Sequence, residues 1–215
     1  KRMSFTGSPE VGKMVGEACG RNLVPVKLEL GGKGAAVCFE DVDIPSTVEG
    51  LTGAVTLNTG QVCCTATRWM VHEKIWDDFI AQAIERLKGK RIGYGMNSDT
   101  EMGPVVNQTQ QNRVLGYLEK GVNEGASLLL EGGRASVSGC EGGYFVKPAL
   151  LTGAMENVAA REEIFGPVLT VFKAKDLAEA IEISNSVKFG LSSSIYTRDL
   201  TQAFQYVHTV ETGMV

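Results

Sequence analysis

Met3-Ser4-Phe5-Thr6-Gly7-Ser8-Pro9 opens, and Val24-Pro25-Val26-Lys27-Leu28-Glu29-Leu30-Gly31 closes, the stretch that decides the fold. Met3 to Phe5 predicts the end of a strand. Ser8 suits a helix N-cap and Pro9 the first helical position. Val11, Met14, Val15 and Ala18 then fall on one helical face, and Gly20 predicts the stop. Val24 to Leu30 predicts the next strand. Residues 1–31 thus read as a strand-helix-strand unit, the size of a parallel βαβ crossover. Two strands cannot close a sheet, so the unit needs more of the chain. A glycine turn leading into a helix N-terminus is also a ready anion site, which makes Gly7 and Ser8 candidates for holding a phosphate. With no GxGxxG pattern, the residues alone favour an ordinary strand–helix connection.

The alternation continues. Ala35 to Phe39 predicts a strand, Asp41 to Ile44 carries caps, and a helix from Ser46 to Leu57 follows. Trp69 to His72 predicts a strand. Trp76, Phe79, Ile80, Ala83, Ile84 and Leu87 line one face of an amphipathic helix, more suited to core than to a binding groove. Residues 89–106 read as loop. Val114, Leu115, Leu118 and Val122 mark a helix ending at Gly125, and Ser127 to Leu130 a short buried strand. Gly132 to Gly143 reads as an exposed loop holding Cys140, and Tyr144 to Leu151 as extended chain. Strands at Val168 to Phe172 and Leu191 to Tyr196 flank a helix from Asp176 to Val187. A helix from Asp199 to Thr209 and a strand beginning at Gly213 end the sequence. Strands and helices in alternation predict an α/β sheet.

Composition excludes several classes. The chain has 215 residues, 43% hydrophobic and 21% charged, as in ordinary globular proteins. A net charge of −4 gives no basic footprint for nucleic acid. The apolar runs are short and broken, so no membrane-spanning helix is expected. Five cysteines without a dense framework of spacings suggest reduced thiols and a cytoplasmic location. His72 and His208 have no zinc spacing and are expected in surface or hydrogen-bonded structural roles. The first residues already read as strand, so the natural N-terminus, with any targeting segment, is expected to lie outside this sequence.

Two stretches carry chemistry. Thr59-Gly60-Gln61-Val62-Cys63-Cys64 puts two thiols just after a Gly-Gln turn. A thiol at such a turn can stand free of packing and react, provided something helps it ionise. Unpaired cysteines are more often small buried apolar residues, and the hexapeptide alone favours that reading. In Leu28-Glu29-Leu30-Gly31-Gly32-Lys33, Glu29 lies inside an apolar run before two glycines. A carboxylate at the end of a buried strand would be partly desolvated and drawn towards a general base's range. The alternative is an edge-strand glutamate facing water. Glu162-Glu163-Ile164-Phe165-Gly166-Pro167-Val168 is a third stretch of interest, readable also as a solvated glutamate leading into a strand.

Together these stretches resemble the aldehyde dehydrogenase superfamily over essentially the whole chain. Phe5-Thr6-Gly7-Ser8 resembles its pyrophosphate-side turn and Leu28 to Lys33 its general-base motif. Gly60-Gln61-Val62-Cys63 resembles its nucleophile motif and Glu162 to Val168 its nicotinamide-ribose motif. The four occur in the family's order. The resemblance implies an α/β fold: a catalytic domain with a mostly parallel sheet flanked by helices over residues 32–215, truncated at its C-terminal end. It also implies a βαβ remnant of a Rossmann-type cofactor domain over 1–31. It implies Cys63 as nucleophile, chosen over Cys64 on the family's spacing alone, and Glu29 as general base. Gly7, Ser8, Leu30, Glu163 and Phe165 become cofactor-binding residues, with NAD or NADP as cofactor, no metal, an aldehyde as substrate and a homo-oligomer in the full-length form. In the family the helix after Ser8 lies at the dimer interface.

The implied chemistry is oxidation of an aldehyde to a carboxylic acid through a thioester on Cys63, with Glu29 activating the hydrolytic water. Glu29 favours this acid-releasing branch over transfer to coenzyme A. The family chain is more than twice as long, and its oxyanion-hole Asn and adenosine-ribose Lys have no counterpart here. One such donor is worth roughly 3–4 kcal/mol of transition-state stabilisation. This chain alone is therefore expected to be inactive or weakly active. The alternative is a non-catalytic module that keeps the fold and self-associates through unpaired strands and the uncovered helix Val11 to Cys19. A weaker third option is a thiol hydrolase using Cys63 and Glu29.

Overall fold

The computed structural model describes all 215 residues, Lys1–Val215. It begins with the expected crossover: β1 (Met3–Thr6), α1 (Pro9–Arg21) and β2 (Val26–Glu29). The two strands pair in parallel, Met3 against Val26 and Thr6 against Glu29. Ser8 caps α1, its side-chain oxygen accepting from the Val11 N–H at 3.4 Å, and Pro9 occupies the first turn. These two strands form a sheet of their own.

The main body follows as β3 (Gly34–Cys38), α2 (Ile44–Thr56), β4 (Ala66–His72) and α3 (Trp76–Lys88). After a long loop come α4 (Gln108–Asn123), β5 (Ser127–Leu130), β6 (Gly133–Arg134), β7 (Val146–Lys147) and β8 (Ala149–Thr152). The chain ends with α5 (Val158–Arg161), β9 (Val168–Ala174), α6 (Leu177–Asn185), β10 (Ser193–Tyr196) and α7 (Leu200–Thr209). A six-stranded sheet runs in the order β10-β3-β4-β9-β8-β5. All its pairings are parallel except that of β5 with β8. The expected α/β fold with a mostly parallel sheet flanked by helices is therefore what the chain adopts.

Parallel strands are covered on both faces, and successive side chains divide between them. Ala36 and Cys38 of β3 join Trp69 and Val71 of β4 under α2 and α3. Ala35, Val37 and Met70 point the other way, against Ala180, Ile181 and Tyr206 of α6 and α7. A third cluster packs Val114 and Leu118 of α4 over Val146, Ile164 and Val168. Arg68, buried in β4, reaches under the C-terminus of α6. It donates to the carbonyls of Ser184 (3.1 Å) and Ile183 and to Ser186 Oγ (2.8 Å), satisfying acceptors that a helix end leaves open.

Three local expectations change. Ser127–Leu130 is buried only at its end: β5 is the sheet edge, with Ser127 and Leu128 exposed and Leu130 in the core. The glycine-rich stretch 132–143 is not all loop, because Gly133–Arg134 pairs antiparallel with Val146–Lys147. Residues 213–215 form no strand; Met214 makes a single bridge to Ser192. At β5 and at Met214, short runs found a partner on one side only.

Candidate active site

The parallel sheet aligns the amino ends of its strands, and the motif residues lie there. Gly31 to Lys33 run into β3, Cys63 precedes β4, and Glu163 to Pro167 lead into β9. Ligand sites of open α/β sheets usually lie at the carboxyl ends. Here the carboxyl end of β2 also arrives at this edge, only four residues before β3 begins. The junction between the two sheets thus brings the double glycine, which follows Glu29 in the chain, to the Cys63 backbone and the Glu163 carboxylate.

Gly32 is required by what packs on it, and Gly31 makes room for a side chain. A Cβ on Gly32 would collide with the Cys63 carbonyl oxygen, and one on Gly31 with the Glu163 carboxylate. The Gly32 N–H donates to Glu163 Oε1 at 3.0 Å. Three motifs separated in sequence therefore meet at the double glycine, and at Gly32 the approach is to backbone, which a Cβ would block. Glu163 is half-buried rather than solvated. Burial pushes its carboxyl up, against the opposing pull of the Gly32 amide, Arg113 and Lys33. Phe165 holds a left-handed φ of 60° and leaves 37% of its surface exposed beside this carboxylate.

Cys63 is partly exposed and Cys64 more so; none of the five cysteines is disulfide-bonded. Burial pushes the Cys63 thiol up, and the neighbouring Cys64 adds to this; backbone hydrogen bonds at both residues pull the other way. Exposure alone would favour Cys64 as the more reachable thiol. Glu29 differs from its expected setting. Its carboxylate is 44% exposed and pairs with Lys27 Nζ at 3.1 Å. The reason is architectural: β2 pairs only with β1, and Lys27 and Glu29 share a face that nothing covers. The glutamate is thus held on the strand as expected but is not desolvated.

The turn expected to face a phosphate is mixed. The Gly7 N–H is committed to the Glu29 carbonyl at 3.1 Å. Ser8 Oγ accepts from Val11, and Glu10 puts a negative charge in the first turn of α1. Leu30 packs against Gly12 of α1, fixing the helix over β2. His72 is buried, and its Nδ1 accepts from the Lys74 N–H at 3.3 Å, in line with a structural role.

Sequence reasoning missed several residues. Lys33 is buried, its Nζ makes no hydrogen bond to the protein, and it is held down to about 7. Burial is the main cause and Arg68 the second, with Glu163 and Glu162 pulling the opposite way. Its place directly after Gly31-Gly32 was the only available signal. Gln110 and Arg113 of α4 were also missed. Gln110 Nε2 donates to the carbonyls of Ile164 (3.0 Å) and Phe165 (2.8 Å), and Arg113 to that of Glu163 (2.7 Å). They lie fifty or more residues away in sequence, and no local pattern marks them.

The comparisons agree with this architecture. The model of the aldehyde dehydrogenase family matches residues 1–215. The chain belongs to the aldehyde dehydrogenase family. It is 38% identical over 213 residues to a betaine aldehyde dehydrogenase of Brucella anthropi, covering 99% of this chain and 44% of that protein. It is 39% identical over 216 residues to cytosolic aldehyde dehydrogenase 1 of Mus musculus, covering 100% of this chain and 42% of that protein. The crystal structure of betaine aldehyde dehydrogenase from Staphylococcus aureus, in complex with NAD+, superposes with a TM-score of 0.94 at 31% identity. That match covers 99% of this chain and 43% of the other. The chain thus spans less than half the length of the relatives it matches. No helix is long and apolar enough to cross a membrane.

Proposed function

We propose that this chain carries the nucleophile, the general base and the nicotinamide-side cofactor contacts of an NAD(P)-dependent aldehyde dehydrogenase. The observation that supports it best is the junction where Gly32 touches both the Cys63 backbone and the Glu163 carboxylate. Residues 1–31 would belong to the cofactor domain and 32–215 to the catalytic domain. The membership of the family and the NAD+ complex of a 31%-identical relative support the same reading.

The residues present fit one end of a dinucleotide. Glu163 Oε2 makes no hydrogen bond within the chain, so it is free to accept from a sugar diol, and the exposed Phe165 ring offers a face for a flat heterocycle. Gly7, Ser8 and Leu30 would line the way towards the phosphates, although the Gly7 amide is already engaged. Bound NAD or NADP would supply the hydride acceptor for each aldehyde oxidised.

The chain's own residues would do the rest. Cys63 Sγ, once deprotonated, adds to the aldehyde carbon and ends the oxidative stage as an acyl thioester. Glu29 takes a proton from the water that attacks this thioester, releasing the carboxylic acid and the free thiol. Because burial raises the Cys63 thiol, deprotonation needs the base to act first, or a higher pH. The exposed Lys27–Glu29 pair leaves that base in contact with water.

Those same two observations favour a second reading of the isolated chain. With its thiol raised and its base paired to a lysine, it would keep the fold without turning over aldehyde. One experiment separates the readings. The chain is treated with an activated phenyl ester, which acylates a competent nucleophile without any cofactor, and the adduct is mapped by mass spectrometry. A nicotinamide absorbance assay with an aldehyde runs in parallel. Acylation of Cys63, lost in Cys63→Ala, supports the nucleophile assignment; added hydride transfer supports a working site. Acylation of Cys64 instead, or of all cysteines equally, would sink it.

A further inference from the structure

The backbone just before Cys63 is strained. Asn58 (φ 49°, ψ 33°), Thr59 (φ 57°, ψ 37°) and Gly60 (φ 72°) are consecutive left-handed residues. Asn and Gly tolerate this conformation, but a β-branched residue such as Thr59 adopts it only where its surroundings impose it. A second strained residue, Phe165, sits in the facing loop. The two turns touch directly, because a Cβ on Gly60 would collide with Gly166 and the Pro167 nitrogen.

One segment holds both turns. Thr59 Oγ1 donates to the Gly103 carbonyl at 2.9 Å, and the Val106 N–H donates to Gln61 Oε1 at 2.9 Å. Gln61 Nε2 donates to the Asn58 carbonyl at 3.0 Å and Asn58 Nδ2 to the Gln61 carbonyl at 3.1 Å, closing the turn on itself. A few residues on, Gln110 and Arg113 grip the backbone of Glu163, Ile164 and Phe165. Residues 103–113 therefore tie the thiol turn at one end and the carboxylate–aromatic loop at the other.

We propose that residues 103–113 are a brace that sets the presentation of Cys63 and of Glu163–Phe165 together, with Gln61 and Gln110 as its positioning residues. Neither glutamine acts on a substrate; each acts through a strained backbone. The proposal rests on the reading of Cys63 as nucleophile. It predicts that loosening the brace at its far end changes the behaviour of the thiol.

The test reads the ratio of Cys63 to Cys64 alkylation by iodoacetamide in the 215-residue chain. The two thiols are adjacent, so general loosening raises both, whereas a changed turn alters their ratio. Gln110→Ala, which removes contacts only to Ile164 and Phe165, is expected to change the ratio by about threefold or more, within the range of coupled neighbours. Gln61→Ala should change it at least as much. Thr59→Ala should do likewise, and Thr59→Ser, which keeps the hydroxyl, should restore the parent ratio. Gln82→Ala, on the outer face of α3, should leave it unchanged. Arg113→Ala repeats the far-end test on an exposed side chain, should Gln110→Ala fail to fold. A parent-like ratio in both far-end variants overturns the brace, as does an equal change in Gln82→Ala. Ester acylation of the parent separates this from failure of the nucleophile assignment. If Cys63 is acylated but the ratio ignores the far-end variants, only the brace is lost.

Discussion

Strands β2 and β3 follow one another with four residues between them and meet opposite surroundings. Every residue of β3 is buried, between α2 and α3 on one face and α6 and α7 on the other. In β2 none is, and its partner helix α1 leaves Met14 68% exposed, with Leu23 just beyond it at 91%. Val26 and Leu28 of β2 alternate with Lys27 and Glu29, whereas β3 carries no charge. The difference shows that apolar periodicity states which face wants cover, whereas the number of neighbouring elements decides whether cover exists. It also matters for chemistry, since Glu29 belongs to the open sheet and Lys33 to the closed one.

The largest test of that contrast is Trp69→Ala. Trp69 is fully buried in β4, edge-on to Phe79, and its loss should reduce stability by about 3–5 kcal/mol in urea denaturation. A loss below about 1 kcal/mol would mean that the six-stranded sheet does not unfold as one core.

Lys33 gives the next effect, through pH. Its folded pKa is lowered to about 7, below the ordinary 10.5. Between these values the unfolded chain binds the proton and the folded chain does not, so this group makes stability rise with pH from about 7 to about 10.5. Lys33→Met removes this pH dependence. The stability difference between variant and parent should favour the variant most below pH 7, by a few kcal/mol at most. It should then shrink as pH rises. Melting curves of both proteins across this window check it, and a difference independent of pH would show that the amine keeps its charge.

Gly60→Ala should be milder, lowering stability by roughly 1–3 kcal/mol, because it strains a left-handed residue and presses on the Gly166 backbone. A neutral result in the same denaturation assay would show that the two turns separate in solution. The smallest effect belongs to the open unit. Met14→Ser should stay within about 0.5 kcal/mol of the parent, as exposed positions do. A loss above about 1 kcal/mol would mean that the α1 face is covered in solution, and would erase the contrast.

Much of the fold was legible. The caps at Ser8 and within Asp41–Ile44, the apolar face of α3 and the alternation of strands and helices all act through near neighbours. The edge position of β5 was not, because exposure there depends on which strand lacks a second partner. In the site, the Gly60-Gln61 turn and the double glycine Gly31-Gly32 were legible as turns beside the chemistry. What approached them, Gly166 in one case and Cys63 with Glu163 in the other, came from distant segments.

The sequence by itself determined the order of elements, the glycine positions and the family to which the chain belongs, since each is written in short-range spacing. Only the tertiary structure decided that Glu29 faces water beside Lys27, that Lys33 is buried without a hydrogen-bond partner, and that Gln110 grips the Phe165 loop. Burial and hydrogen-bond partnership are properties of surroundings. Surroundings are assembled here by parallel pairing across long crossovers, which no local stretch encodes.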